Sequence, residues 1–172
     1  MDPLVVPVPS LVLLIGPSGS GKSTWVARHF GPYEVVSSDR CRAMIADSEA
    51  DQSVTPAAFE LVRFIAARRL EAGRLAVVDA TNVHAAARRH NLDLAAACGV
   101  PAVAIVLDLP VERMLANNAG RAGRVVDDEV VRRQRRDLDE ALGVLGSEGY
   151  AAVHVLDEAT IDAVTIERVQ EP

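Results

Sequence analysis

Lysine is almost missing from this chain. Of its 18 lysines and arginines, Lys22 alone is lysine. Aromatics make up only 3% of the 172 residues, so Leu, Val, Ile and Ala must build the core. Cys41 and Cys98 lie far apart with no CxxC spacing, so neither a disulfide framework nor a thiolate metal site is expected. His29, His84, His90 and His154 show no ligand spacing either. No apolar run reaches the roughly 18 to 20 residues that span a bilayer. The opening "MDPLVVPVPS" lacks a basic stretch and is broken by Pro7 and Pro9. It is expected to be a short tail rather than a signal peptide, which fits a cytoplasmic protein without a membrane partner. A basic excess is also lacking: the formal net charge is −6. That argues against wrapping long nucleic acid, but leaves room for a few arginines to grip one strand end.

What is present alternates. "LVLLI" (11–15) is an unbroken apolar run and predicts a buried strand, followed by a glycine-rich loop and a helix to about His29. "YEVVS", "LAVVDA" (75–80), "AVAIVLDL" (102–109) and "AAVHVL" predict four more strands. Helices are expected over "SDRCRAMIA", from Thr55 to Gly73, from about His84 to Cys98, from Pro110 toward Asn117, and from Asp127 to about Leu145. Thr55 is expected to cap its helix, with Pro56 in the first turn. "VTIERV" alternates as an edge strand would. Strands alternating with helices imply an α/β fold with a central parallel sheet flanked by helices. With no internal repeat or linker, residues 1–172 are expected to form a single domain.

Gly16-Pro17-Ser18-Gly19-Ser20-Gly21-Lys22-Ser23 fits G-x-x-x-x-G-K-[ST], after a strand and before a helix. Glycines let backbone N–H groups turn inward around phosphates, and the helix points its positive end at them. The compact ammonium of Lys22 can reach between β- and γ-phosphates, where a planar guanidinium is too bulky. Ser23 is the expected ligand of Mg²⁺ or Mn²⁺, and Thr24 can reach the α-phosphate. The donor is ATP or another nucleoside triphosphate.

There is no N-K-x-D for guanine recognition and no L-S-G-G-Q. In "SSDRCR", Asp39 follows a strand, at the rim where such sheets bind ligands. It can take the proton of an attacking hydroxyl. Arg42, three residues on, shares its helix face and can fork onto an acceptor phosphate. A helix cap at Asp39, or a plain Asp39–Arg42 surface pair, accounts for the same residues without chemistry. Asp79 in "VVDATN", grouped with the acceptor-binding candidates, sits where a second acidic residue often orients a metal's water shell or anchors a phosphate-binding side chain, and Thr81 and Asn82 either shape the acceptor pocket or cap the next helix. "NAGRAGR" places Arg121 and Arg124 on a glycine-spaced loop, with a lid over about 117–128, suited to γ-phosphoryl charge. "RRQRR" (132–136) is expected to be a solvated helix face.

Together "GPSGSGKST", "SSDRCR", "DQSVTPAAFELVRFIAARRL", "VVDATNV" and the arginine loop resemble the 5′-hydroxyl polynucleotide kinase domain of bacterial RNA end-healing and end-sealing enzymes. The resemblance covers roughly residues 10 to 156. It implies a three-layer P-loop fold that transfers the γ-phosphate of a nucleoside triphosphate to the 5′-OH of RNA or DNA with a divalent metal. It also implies Lys22 and Ser23 at the donor, Asp39 as general base, Arg42 on the acceptor phosphate, and Arg121 and Arg124 as lid arginines. Family lids often carry an arginine where this chain has Asn117. The relatives carry phosphatase and ligase modules, so repair enzymes of those kinds are the expected partners; a homodimer is left open. A small-metabolite or antibiotic kinase and an ATP-binding switch without an acceptor are the alternatives.

Overall fold

The structure, a computed structural model, describes residues 2–122 and 124–170. Gly123, within the arginine loop, therefore lies outside the described residues. A five-stranded parallel sheet forms the centre, from β2 (Leu11–Ile15), β3 (Val35–Ser37), β4 (Ala76–Asp79), β5 (Ala102–Leu107) and β6 (Ala152–Leu156). Their order is β3-β4-β2-β5-β6. Every neighbouring pair is parallel, with Leu11 opposite Ala76 on one side and Ala102 on the other. Such a sheet needs a crossover between strands, and helices supply it: α1 (Lys22–His29), α2 (Ser38–Ala46), α3 (Thr55–Glu71), α4 (Ala85–Ala97), α5 (Val111–Ala119) and α6 (Asp128–Leu142).

β2 is apolar on both faces because both are covered. Val12 and Leu14 enter a core shared with Trp25 and Val26 of α1 and Met114 of α5. Leu11, Leu13 and Ile15 enter a second core with Val62, Ala66 and Leu70 of α3. In α3, Ala58, Val62, Ala66 and Leu70 recur every fourth residue and all are buried. α6 gives Val131 to the first core and Leu138 to the second.

The N-terminal stretch is a strand rather than a loose tail. β1 (Leu4–Val8) pairs in parallel with β7 (Ile166–Gln170) in a separate two-stranded sheet. Leu4 and Val6 point inward and are buried, while Val5 is exposed. β1 is an edge, where a proline costs no ladder partner, so Pro7 does not stop it. Thr55 also departs from expectation. It begins α3 but does not cap it; its Oγ1 accepts from Arg42 Nε at 3.1 Å. The last helix ends at Leu142, and Leu145–Ser147 is a separate 3₁₀ turn beyond Gly143.

Arg88 of α4 is 2% exposed. It forks onto Glu148 through Nε and Nη2 at 2.8 and 2.7 Å, and its Nη1 donates to the carbonyl of Val83 at 2.6 Å. This ties the loop after β4 to the end of the chain's last crossover. Removing one partner of such a buried pair strands a charge and costs about 3–5 kcal/mol. Arg88→Ala is therefore expected to lower the melting temperature by roughly 10 °C in a circular-dichroism melt.

Candidate active site

β2 delivers the chain to Gly16 at the carboxyl end of the sheet's middle strand. Gly16 N–H donates to the carbonyl of Thr81 at 2.9 Å, and Asn82 Nδ2 donates to the carbonyl of Leu14 at 2.8 Å. The loops after β2 and β4 are thus bound to each other. Gly19 and Gly21 adopt φ of 81° and 85°. A Cβ on Gly19 would stand 2.1 Å from the carbonyl oxygen of Met114, so only glycine lets the loop lie this close to α5. Gly21 caps α1 without a side-chain bond, leaving first-turn N–H groups for a ligand.

Lys22 is nearly buried. Its Nζ donates to the carbonyls of Gly16 and Pro17 at 2.6 and 2.8 Å and to Ser20 Oγ at 3.3 Å. Burial pulls its pKa down from 10.5 to about 8, aided by Arg121 and opposed by Asp79 and Asp39. In the free protein the amine therefore loses charge as pH rises through about 8. Phosphates favour the charged form, so nucleotide affinity should fall above that pH, and binding there should draw a proton from solution. Titration calorimetry in two buffers of different ionisation enthalpy measures both. For folding the sign is opposite: the folded chain binds fewer protons between pH 8 and 10.5, so this group adds stability as pH rises through that window.

Ser23 Oγ donates to Asp79 Oδ2 at 2.8 Å. Burial raises the Asp79 carboxyl above the ordinary aspartate range, while the Lys22 charge and the Ser23 hydroxyl pull it down. Among the described residues no group of three His, Cys, Asp or Glu is arranged to cage a metal. One hydroxyl and one carboxylate are hard oxygen donors, too few for a cage but sufficient for an ion that also binds phosphates, as Mg²⁺ does. Ser23 and Asp79 therefore fit a divalent ion shared with the donor.

Asp39 lies in the first turn of α2 and lines the same cleft as the phosphate loop. Ser37 rather than Asp39 caps that helix, accepting from Arg40 N–H at 3.4 Å. This leaves the Asp39 carboxylate for three guanidiniums. Arg42 pairs with it directly, Arg121 lies 3.9 Å away and Arg124 3.8 Å. Arg42 is itself 5% exposed and held by Thr55, so its position is fixed.

One cleft of about 890 Å³ gathers these groups. Ser18 through Thr24, Asp39, Arg42, Asp79, Thr81, Asn82, Arg121 and Arg124 all line it. Gly16 and Pro17 lie behind the loop, where their carbonyls hold Lys22. Asn82 spends its amide on backbone, at φ 50°. Sequence reasoning missed Gln134, whose Oε1 accepts from Ser18 N–H at 2.8 Å. The signal was its place as the one uncharged residue in "RRQRR". Of the arginines around it, Arg132, Arg133 and Arg136 are exposed as a solvated face requires, whereas Arg135 is half-buried and pairs with Asp108 as well as Asp139.

A parallel sheet in this order, flanked by helices, with a phosphate loop after its middle strand, is the fold of a P-loop kinase, a class that uses a nucleoside triphosphate and a divalent metal. The AAA domain family matches residues 11–141, and the chain belongs to it. Among solved structures it is similar to the Pnkp1/Rnl/Hen1 RNA repair complex, with a TM-score of 0.68 at 21% identity. That match covers 80% of this chain and 46% of the other, so this chain spans just under half its length. It is also similar to a sugar kinase from Janibacter sp. HTCC2649, at TM-score 0.59 and 20% identity over 91% of both chains. A gluconokinase from Sinorhizobium meliloti 1021 matches at TM-score 0.54 and 16% identity, over 90% of this chain and 85% of that one. At these identities the likeness is one of fold. No curated protein matches the sequence.

Proposed function

We propose that the protein transfers the γ-phosphoryl group of ATP, or another nucleoside triphosphate, to the 5′-hydroxyl end of RNA or DNA. One observation carries this reading: Asp39 and Arg42 form a fixed acid–guanidinium pair in the same cleft as the phosphate loop, under the two lid arginines. A hydroxyl kinase needs a base beside the attacking oxygen. An acceptor with a phosphate next to that hydroxyl needs a cation at a set distance from the base.

The phosphate loop orients the donor, and Lys22 neutralises its β- and γ-oxygens. A divalent ion, which Ser23 and Asp79 would hold, would supply further neutralisation of the donor's negative charge. Asp39 takes the proton of the 5′-hydroxyl while that oxygen forms its bond to the γ-phosphorus. The bond from the γ-phosphorus to the β-bridging oxygen breaks, and the nucleoside diphosphate leaves. Arg121 and Arg124 hold the equatorial oxygens as charge spreads over them. Arg42 grips the first acceptor phosphate. The rest of the cleft's lining includes Gln52, Thr55, Phe59 and His84, and its two other arginines, Arg28 and Arg113, pair with Asp162 and Glu158. That suits an acceptor held by one end, as does the net charge of −6. The likeness to a chain of an RNA repair complex supports extending the reading to repair partners.

A second reading, phosphorylation of a small hydroxylated metabolite, is favoured by the full-length likeness to a sugar kinase. Incubation with γ-labelled ATP separates the two. Label should pass to a 5′-OH oligonucleotide and not to its 5′-phosphorylated twin. Label on gluconate or other sugars, with none on the oligonucleotide, contradicts the proposal.

A further inference from the structure

Two neutral side chains outside the proposed chemistry hold the phosphate loop from either side of the lid. Asn117, late in α5, donates from Nδ2 to the carbonyl of Gly19 at 2.9 Å. Gln134, midway along α6, accepts from the N–H of Ser18 at 2.8 Å. These are consecutive loop residues, and the segment joining the two helices carries Arg121 and Arg124.

The neck of that segment is closed as well. Asn118 is fully buried; its Nδ2 donates to the carbonyl of Val126 at 2.6 Å, and its Oδ1 accepts from Val126 N–H at 3.0 Å. Gly19 meanwhile packs against the backbone of Met114 on α5. Both stems of the lid are therefore fastened to the loop by a hydrogen bond, and to each other by two. A displacement of Ser18 or Gly19 must strain or carry both stems.

We propose that Asn117 and Gln134 are positioning residues that lock the lid to the phosphate loop. Seating the donor's phosphates then sets the register of Arg121 and Arg124 over the γ-phosphoryl group. The inference rests on the kinase reading above and gives Asn117 its purpose. Where the resembled family often has a cation, this chain has a neutral tie to the loop's backbone, and the two remaining arginines depend on that tie for aim.

The test compares the parent protein with Asn117→Ala, Asn117→Leu and Gln134→Met. The leucine keeps the size of Asn117, without adding charge, but cannot donate; the methionine keeps the length of Gln134 but cannot accept. Asn117 is exposed and Gln134 half-buried, so melting temperatures should stay close to the parent's. Misaiming a charge-stabilising group by about an ångström costs up to roughly a hundredfold in rate. Each variant should lose about 10- to 100-fold in kcat for labelled-phosphate transfer, with the nucleotide Kd within about threefold. A second arm uses trypsin. A Mg²⁺-loaded, non-hydrolysable ATP analogue should shield the bonds after Arg121 and Arg124 in the parent and fail to do so in the variants. Parental kcat and shielding in the variants would overturn the proposal, as would a loss accounted for wholly by nucleotide affinity. The trypsin arm needs no acceptor. It decides the matter even if the parent leaves every oligonucleotide unlabelled, an outcome that would sink the acceptor assignment alone.

Discussion

Replacing Asp39 with asparagine is expected to slow phosphoryl transfer to a 5′-OH oligonucleotide by about 100- to 10,000-fold. The amide matches the carboxylate in shape and still offers an oxygen to Arg42, so the pocket should keep its form. What disappears is the site for the proton. Donor affinity should hold or tighten slightly, because a negative charge near the incoming γ-phosphate has been removed. The expected signature is thus a collapse in kcat with the nucleotide Kd almost unchanged. Single-turnover label transfer and calorimetric titration measure the two separately. Full activity in Asp39→Asn would mean that another group accepts the proton. Equal loss of nucleotide binding and turnover would assign Asp39 to the donor instead.

Lys22→Arg should be nearly as damaging as Lys22→Met, with kcat/KM reduced about 100- to 1,000-fold in each. The charge is retained in the arginine variant, so a purely electrostatic role would predict a mild effect. The geometry predicts otherwise. Nζ is surrounded by the oxygens of Gly16, Pro17 and Ser20 within 3.3 Å, in a space that leaves the residue 8% exposed. A guanidinium brings five donors in a fixed plane and more volume than the turn encloses. This accounts for a chain that uses arginine at every other basic position yet has lysine here. Elsewhere the fork is an advantage: Arg42 divides its donors between Asp39 and Thr55, and Arg88 reaches Glu148 with two nitrogens. A Lys22→Arg enzyme within a few-fold of the parent would show that point charge alone suffices.

Much of this was legible because short-range signals agreed with long-range demands. "LVLLI" had to be covered on both faces, and it is the sheet's middle strand. The glycines of the phosphate loop marked a tight turn of the backbone, and Gly19 and Gly21 adopt positive φ there. Other features depended on partners remote in sequence. The N-terminal strand was hidden by its prolines, and its partner β7 lies at the far end of the chain. Thr55 looked like a cap until Arg42, thirteen residues earlier, is seen to claim its hydroxyl. Gln134 meets Ser18 across 116 residues, a contact that no periodicity encodes. The arginine loop was readable as mobile charge, but its neutral fastenings at Asn117 and Asn118 were not.

The most direct measurement is a structure of the protein with Mg²⁺, a non-hydrolysable nucleoside triphosphate and a 5′-OH dinucleotide. The 5′-oxygen should rest about 2.6–3.2 Å from an Asp39 carboxylate oxygen and about 3–3.5 Å from the γ-phosphorus, in line with its bond to the leaving oxygen. Arg42 should fork onto the dinucleotide's phosphate, with Arg121 and Arg124 drawn from Asp39 to the γ-phosphate. A 5′-hydroxyl bound away from Asp39, with Arg42 making no phosphate contact, would contradict the account.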